Sequence, residues 1–250
     1  MWWEMYVDLS IKIIFLLIII LYSKIGGESQ MSYSQINISS GHSINCQGAS
    51  DIINEVTEAR KVVDRIYDMC KAIGIEVYKY HDTSSSSSQN LANIANWHNK
   101  FKDGIDISIH FNCYQHTTNS MGTEVCYYSQ AQLASQVSSA ISKASGLKDR
   151  GGKERKGLYV LRHTNKPMLL IEVCFCDSSY DVQKYRENFD TICSAIIQAL
   201  TGKIYQVNNT NNNSNNDKIY RVQVGAYKIK SNAEEMQQKL KKLGIDSIIV

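Results

Sequence analysis

Ile105-Asp106-Ile107-Ser108-Ile109-His110-Phe111-Asn112 is the stretch from which the fold can be read. It is a strand-like run that carries a histidine near its end. Three other segments share its logic. Met168-Leu169-Leu170-Ile171-Glu172-Val173 is a second such run and carries a carboxylate. Ile36 to Ser39 is a third, followed by Ser40-Gly41-His42. Ile52-Ile53-Asn54-Glu55-Val56 opens an amphipathic stretch. Loops at the ends of parallel strands are where open α/β sheets build their sites. Two imidazoles with one carboxylate make a common catalytic zinc set whose fourth position stays open for water. A further carboxylate, Glu172, would then serve as general base. Singly, each residue has a plainer reading. His42 suits a structural loop, His110 a satisfied core histidine, and Glu55 a partner for a helix N-terminal dipole. Glu172 is the exception, because a carboxylate inside an apolar run is costly to bury without a partner.

Around these segments, strands and helices alternate. Ile36–Ser39, Ile75–Tyr80, Ile105–Phe111, Gly122–Tyr128, Leu158–Leu161 and Met168–Val173 read as strands. Glu55–Ile73, Asn90–Lys102, Gln130–Ser145 and Asn188–Leu200 read as helices, the first closed by Gly74. Thr83–Ser88 is a Ser-rich loop, too polar to pack. The expected class is α/β, with a mostly parallel or mixed central sheet flanked by helices on both faces. Residues 31–204 form that domain. Val207 to Asp217 is nearly pure Asn, Thr and Ser, and residues 205–218 therefore read as a linker. In residues 219–250, Tyr220–Tyr227 alternates like a strand. Asn232–Leu243 is an amphipathic helix with Asn232 as N-cap and Gly244 as C-cap, and Asp246–Val250 starts another strand. Together they make a small βαβ piece.

The 250 residues are 43% apolar, enough for one good core and an appendage. The net charge of +3 and the lack of a basic stripe interleaved with aromatics argue against a nucleic-acid binder. The seven cysteines are odd in number and include no Cys-x-x-Cys. They read as buried reduced thiols of a chain made in a reducing cytoplasm. Residues 1–30 stand apart. Ile11 to Tyr22 is nearly all apolar but short for a bilayer span, and Glu4 and Asp8 precede it. A poor signal peptide, an N-terminal anchor and a non-essential extension all remain open, and a membrane partner depends on the choice.

Gly41-His42, Asn54-Glu55-Val56, Ser108-Ile109-His110-Phe111-Asn112 and Ile171-Glu172-Val173, in that order, resemble the zinc-dependent N-acetylmuramoyl-L-alanine amidases. The resemblance runs from about Gln35 to about Gly202. It includes Gly122-Thr123-Glu124-Val125 and Gly157-Leu158-Tyr159-Val160-Leu161-Arg162, similar to the family's later strands. Many relatives have an Asp-Pro-Gly type loop around the first histidine. Here Ser39-Ser40-Gly41-His42-Ser43 looks more like the clostridial and phage-endolysin branch. Glu55 and Glu58 lie three apart on one helix face, and the family's Asn-Glu favours Glu55. The resemblance implies Zn²⁺ held by His42, Glu55 and His110, with Glu172 as the catalytic base, kept ionised by the metal. It implies hydrolysis of the amide between N-acetylmuramic acid and L-alanine, at the bacterial cell wall, by an endolysin or autolysin whose partner is peptidoglycan. Asn112, Arg162 and His163 are the candidates for substrate contact. Arg150 and Arg155 read as solvated loop charge, and His81, His98 and His116 as solvent-facing. The tail resembles the first half of a SPOR domain, a peptidoglycan-binding module. The alternatives are a zinc carboxypeptidase on stem peptides and a non-catalytic wall-binding protein.

Overall fold

The computed structural model describes residues 32–207 and 230–242, together with 225, 227 and 249. Six strands form one mixed sheet: β1 (Gln35–Ser40), β2 (Glu76–Tyr80), β3 (Ile105–Asn112), β4 (Thr123–Tyr127), β5 (Asp149–Glu154) and β6 (Met168–Phe175). Their order is β2-β1-β3-β6-β4-β5. β4 runs antiparallel to β6, and the other neighbouring pairs are parallel. The helices of this unit are α1 (Glu55–Ala72), α2 (Ser87–His98), α3 (Ala131–Ser145), α4 (Tyr159–His163), α5 (Ser179–Glu187) and α6 (Phe189–Thr201). The chain divides into two compact units, residues 1–208 and 209–250.

Alternation along the central strands separates two faces. Ile36, Ile38, Ile105, Ile107, Ile109, Leu169, Ile171 and Val173 are buried in one core with Val62, Val63 and Ile66 of α1 and Ile192, Ile196 and Leu200 of α6. On the other face, Met168, Leu170 and Cys126 meet Ile94 of α2 and Val160 and Leu161 of α4. Asn37, Ser39, Asp106 and Ser108 occupy the same parity and are fully buried. The near-unbroken burial of β1, β3 and β6 is what a sheet covered on both faces requires.

Several expectations need correction. Leu158–Leu161 is not a strand: Tyr159–His163 forms the short helix α4. An apolar run of four residues does not distinguish the two by periodicity. The strand at that edge of the sheet is instead β5, Asp149–Glu154, in a stretch read as a charged loop. It is glycine-rich and pairs only with β4, across a register shift, as tolerated at an edge. Helix α5 was not foreseen. Its N-cap Ser178 accepts from Asp181 N–H, and the Asp181 carboxylate takes the N–H groups of Met121, Gly122 and Phe175. The Ser-rich stretch is not a free loop. Ser86 caps α2, and the buried Asp82 carboxylate gathers Ser84, Asn90, Asn93 and Tyr80. Of the cysteines, Cys70, Cys126, Cys174, Cys176 and Cys193 are buried and free, Cys46 is half-buried and Cys113 exposed.

In the second unit, α7 (Lys230–Lys242) buries none of its residues and carries the i,i+4 pairs Lys230–Glu234 and Lys239–Glu235. Asn232 lies inside this helix and not at its N-cap. Residues 1–30, most of the linker, Gly244 and nearly all of the two expected tail strands lie outside the described residues. Among the described residues no helix is long and apolar enough to cross a membrane.

Ile107 is fully buried at the centre of β3. Truncation to alanine should cost about 2–5 kcal/mol, measurable as a lowered urea midpoint with unchanged slope. A loss below about 1 kcal/mol would contradict the two-sided burial.

Candidate metal centre

The site lies along one row that crosses the sheet. His110 pairs with Glu172 between β3 and β6, and Glu172 pairs with Glu124 between β6 and β4. One residue past the pairing of Ser40 with Ile109, Gly41 continues the row on the β1 side and donates its N–H to Ile109 O at 2.9 Å. The row therefore reads Gly41, His110, Glu172, Glu124, and the last three project from one face. A Cβ on Gly41 would overlap the His110 ring, so glycine here makes room for the imidazole.

Glu55 enters from the first turn of α1. The helix is capped by Asn54, whose side chain accepts from Thr57 N–H. Glu55 is buried, and its Oε1 lies 3.0 Å from His110 Nδ1 and accepts from Phe111 N–H at 3.2 Å. Its Oε2 accepts from Ala49 N–H at 2.7 Å and lies 3.4 Å from His42 Nε2. Donor atoms of His42, Glu55 and His110 all fall within 4.8 Å of one another, close enough to hold one metal ion. The His42 and His110 rings meet edge to face at 5.3 Å. A Cβ on Gly48 would overlap both Glu55 Oε2 and the His42 ring. Glu58, the alternative carboxylate, points elsewhere: it pairs with Lys61 and accepts from Tyr185 OH.

The electrostatics are those of a charge-hungry pocket. Burial pushes Glu55 up, but the hydrogen bond and charge of His110, then His42 and Ala49 N–H, carry it below the usual carboxylate range. Burial opposes charging of His110, yet Glu55 and then Glu172 raise it. Burial lowers His42. Glu172 keeps part of its surface open, but its Oε2 is sealed from solvent and has no hydrogen-bond partner. Burial, opposed by His110 and reinforced by Glu55 and Glu124, pushes it up to about 7.

Beneath the row runs a buried polar chain. His110 Nε2 lies 3.1 Å from Ser108 Oγ, which meets Ser39 Oγ at 3.5 Å. Ser39 Oγ lies 3.0 Å from His98 Nε2, and His98 Nδ1 lies 3.2 Å from Asp106 Oδ1. Asp106 also takes Lys166 Nζ at 2.6 Å and Asn37 Nδ2 at 2.9 Å. Such partners orient a ligating imidazole through its other nitrogen. His98 is thus wholly buried, not solvent-facing. His81 is half-buried between Ser40 and Asp64, while His116 is exposed as expected.

The substrate candidates divide. Asn112 Nδ2 donates to Glu124 Oε1 at 3.2 Å, beside the row. Arg162 and His163 sit on exposed turns of α4, where His163 stacks on Tyr159 at 3.9 Å. No described hydrogen bond or ion pair joins them to His42, Glu55 or His110. Arg150 is not loop charge: from β5 its Nε bonds Glu124 Oε2 at 2.7 Å, and it lies over the Phe175 ring. Sequence reasoning missed Glu124, although a carboxylate inside Gly122–Tyr128 carried the same signal as Glu172.

Fold and donor set define an α/β domain with three side chains that could hold one metal ion. Residues 36–202 match the family N-acetylmuramoyl-L-alanine amidase, and residues 194–250 match the SPOR domain. The chain belongs to the N-acetylmuramoyl-L-alanine amidase family. The SPOR match begins inside α6, whose Ile196, Ile197 and Leu200 are buried in the first unit's core. An "Uncharacterized 38.4 kDa protein" of Clostridium perfringens is 32% identical over 199 residues, 73% of this chain and 58% of that one. The sporulation-specific N-acetylmuramoyl-L-alanine amidase of Bacillus subtilis is 29% identical over 116 residues, 46% of this chain and 44% of that one. The chain thus spans about half the length of the curated relatives it matches. The catalytic domain of the CD27L endolysin targeting Clostridia Difficile superposes with a TM-score of 0.62 at 24% identity, covering 69% of this chain and 99% of that one.

With Glu172 near 7 against an ordinary 4.5, the folded metal-free chain holds a proton that the unfolded chain has released. Its stability should therefore fall as pH rises from about 4.5 to about 7, by on the order of 3 kcal/mol from this group. Urea unfolding of chelator-treated wild type and Glu172→Gln across that range should diverge by this amount. Parallel profiles would contradict it.

Proposed function

We propose that the chain hydrolyses the amide between the lactyl group of N-acetylmuramic acid and L-alanine in peptidoglycan, using a zinc ion. The observation that carries this reading is the convergence of His42, Glu55 and His110 beside an unpartnered Glu172 oxygen. Two imidazoles and a carboxylate suit zinc, and the glycines at 41 and 48 leave the ligands the volume they need. Zinc bound there would supply a Lewis acid for the scissile carbonyl and lower the pKa of its water towards neutrality.

The remaining chemistry falls to side chains of this chain. Glu172 takes the proton of the attacking water and delivers it to the leaving amine. Its raised proton affinity suits both halves of that transfer. Zinc nearby would favour its ionised form. Ser108 steadies His110 at Nε2, which leaves Nδ1, beside the Glu55 carboxylate, for the metal. Glu124 takes the Asn112 amide and the Arg150 guanidinium, so the row presents one carboxylate to substrate. Asn112 is the best of the three substrate-contact candidates, since it borders that row. The residues 31–204 would be the catalytic domain, 205–218 a linker and 219–250 a wall-binding tail. The biological setting is lysis of the bacterial wall, as an endolysin or autolysin. A carboxypeptidase would need a cationic clamp for a substrate C-terminus, and Arg150, the cation beside the row, is already committed to Glu124.

Purified peptidoglycan incubated with the chain and zinc should release stem peptides bearing a new N-terminal amine, with glycan intact. Chelation should abolish release. Glu172→Gln should lower turnover by about 10²–10⁴-fold while keeping the metal. Release of a single C-terminal amino acid would indicate the carboxypeptidase, and wall binding without release a binding module. Gly48→Ala should lower zinc affinity at least about 10-fold with little change in the urea midpoint. Unaltered zinc affinity would contradict the crowding between Gly48 and its two neighbours.

A further inference from the structure

Two cysteines leave the sheet side by side. Cys113 and Cys176 follow β3 and β6, one step beyond the pairing of Asn112 with Phe175. Cys176 N–H donates to Asn112 O at 2.7 Å, and the two thiols are within hydrogen-bonding reach of each other. Asp177 adjoins them. Its Oδ2 accepts from Tyr114 N–H at 2.6 Å and from the Cys113 thiol at 3.2 Å. Its Oδ1 is sealed from solvent and has no hydrogen-bond partner, in a residue only 1% exposed. Donor atoms of Cys113, Cys176 and Asp177 all lie within 4.8 Å of one another. None belongs to the cluster of His42, Glu55 and His110.

We propose that Cys113, Cys176 and Asp177 form a second metal site, one for a thiophilic divalent cation such as Zn²⁺, with solvent completing the shell on the exposed Cys113 side. A buried carboxylate oxygen without a donor is costly, and a cation bound to the same carboxylate offsets part of that cost. A disulfide between the same cysteines would leave it in place. Two sulfurs and one oxygen suit a borderline-soft ion. Loading displaces both thiol protons to solvent and forms two metal–sulfur bonds. The dication then faces two thiolates and one carboxylate, a net charge of −1. Burial raises Cys176 far above an ordinary thiol, so the empty site stays protonated and charge arrives with the metal. The ion would tie together the ends of β3 and β6, the strands that carry His110 and Glu172. It would also pin residues 113–117, already held by Thr117 N–H on Asp177 O at 2.9 Å.

The test uses the full chain, reduced with a phosphine, stripped by chelator and titrated with Co²⁺. Sulfur-to-cobalt charge-transfer absorption reports this site alone, because the other cluster has no sulfur. Expected are about two equivalents of cobalt per chain and release of about two protons with growth of the band. Cys113→Ser/Cys176→Ser should lose the band and one equivalent. His42→Ala should keep the band and lose the other equivalent. A reduced wild type without the band, or a band that survives in Cys113→Ser/Cys176→Ser, overturns the proposal. Cys113 is exposed, so Cys113→Ser alone repeats the test with little risk to folding. Failure to cleave peptidoglycan would count against the amidase reading and leave the band unaffected.

Discussion

The pairing of His110 with Glu172 across β3 and β6 is the constraint on which the rest of this domain depends. In a sheet buried on both faces, register is dictated by the apolar set that each strand must direct into its core. Ile105, Ile107 and Ile109 share a face with Leu169, Ile171 and Val173. That requirement sends Asp106, Ser108 and His110 to the other face with Leu170 and Glu172. A one-residue slip in either strand would reverse every side chain, exchanging buried isoleucines for buried carboxylates. The apolar core thus aims the row that carries His110 and Glu172.

The face that carries the row is expensive to build. Asn37, Ser39, Asp106, Ser108 and His98 are all wholly buried. Each has a polar neighbour within the chain that runs from Lys166 to His110. Buried polar networks rigidify when satisfied and destabilise when broken. This one holds His110 by the nitrogen opposite Glu55, with His98 Nδ1 and Asp106 Oδ2 left without a hydrogen bond along the way. The glycines perform the complementary task. Gly41 and Gly48 mark where the backbone itself comes too near the imidazoles and Glu55 for any side chain.

His42, Glu55, His110 and Glu172, which the structure brings together as the candidate site, stood out in the sequence because each combined a chemically costly side chain with a strand end or helix start. The alternation of the long strands and the 3.6-residue periodicity of α1, α3 and α6 were legible for the same reason: each buries a face along its whole length. What misled was short or atypical sequence. Leu158–Leu161 is apolar in either conformation, and only its seat against α2 and β6 makes it a helix. Asp149–Glu154 has poor strand propensity and is a strand because β4 offers an edge.

The sequence by itself determined the covered α/β sheet, its long strands and helices, and which costly side chains to suspect, since periodicity and the cost of burying charge are local properties. Between Glu55 and Glu58 the resemblance already favoured Glu55, and tertiary structure supplied the physical reason: Tyr185 and Lys61 claim Glu58. Tertiary structure alone revealed Glu124 and Arg150 as partners, His98 as a buried support, and Cys113 and Cys176 as neighbours. Those relations arise between elements distant in the chain, where proximity follows from register and packing and not from spacing.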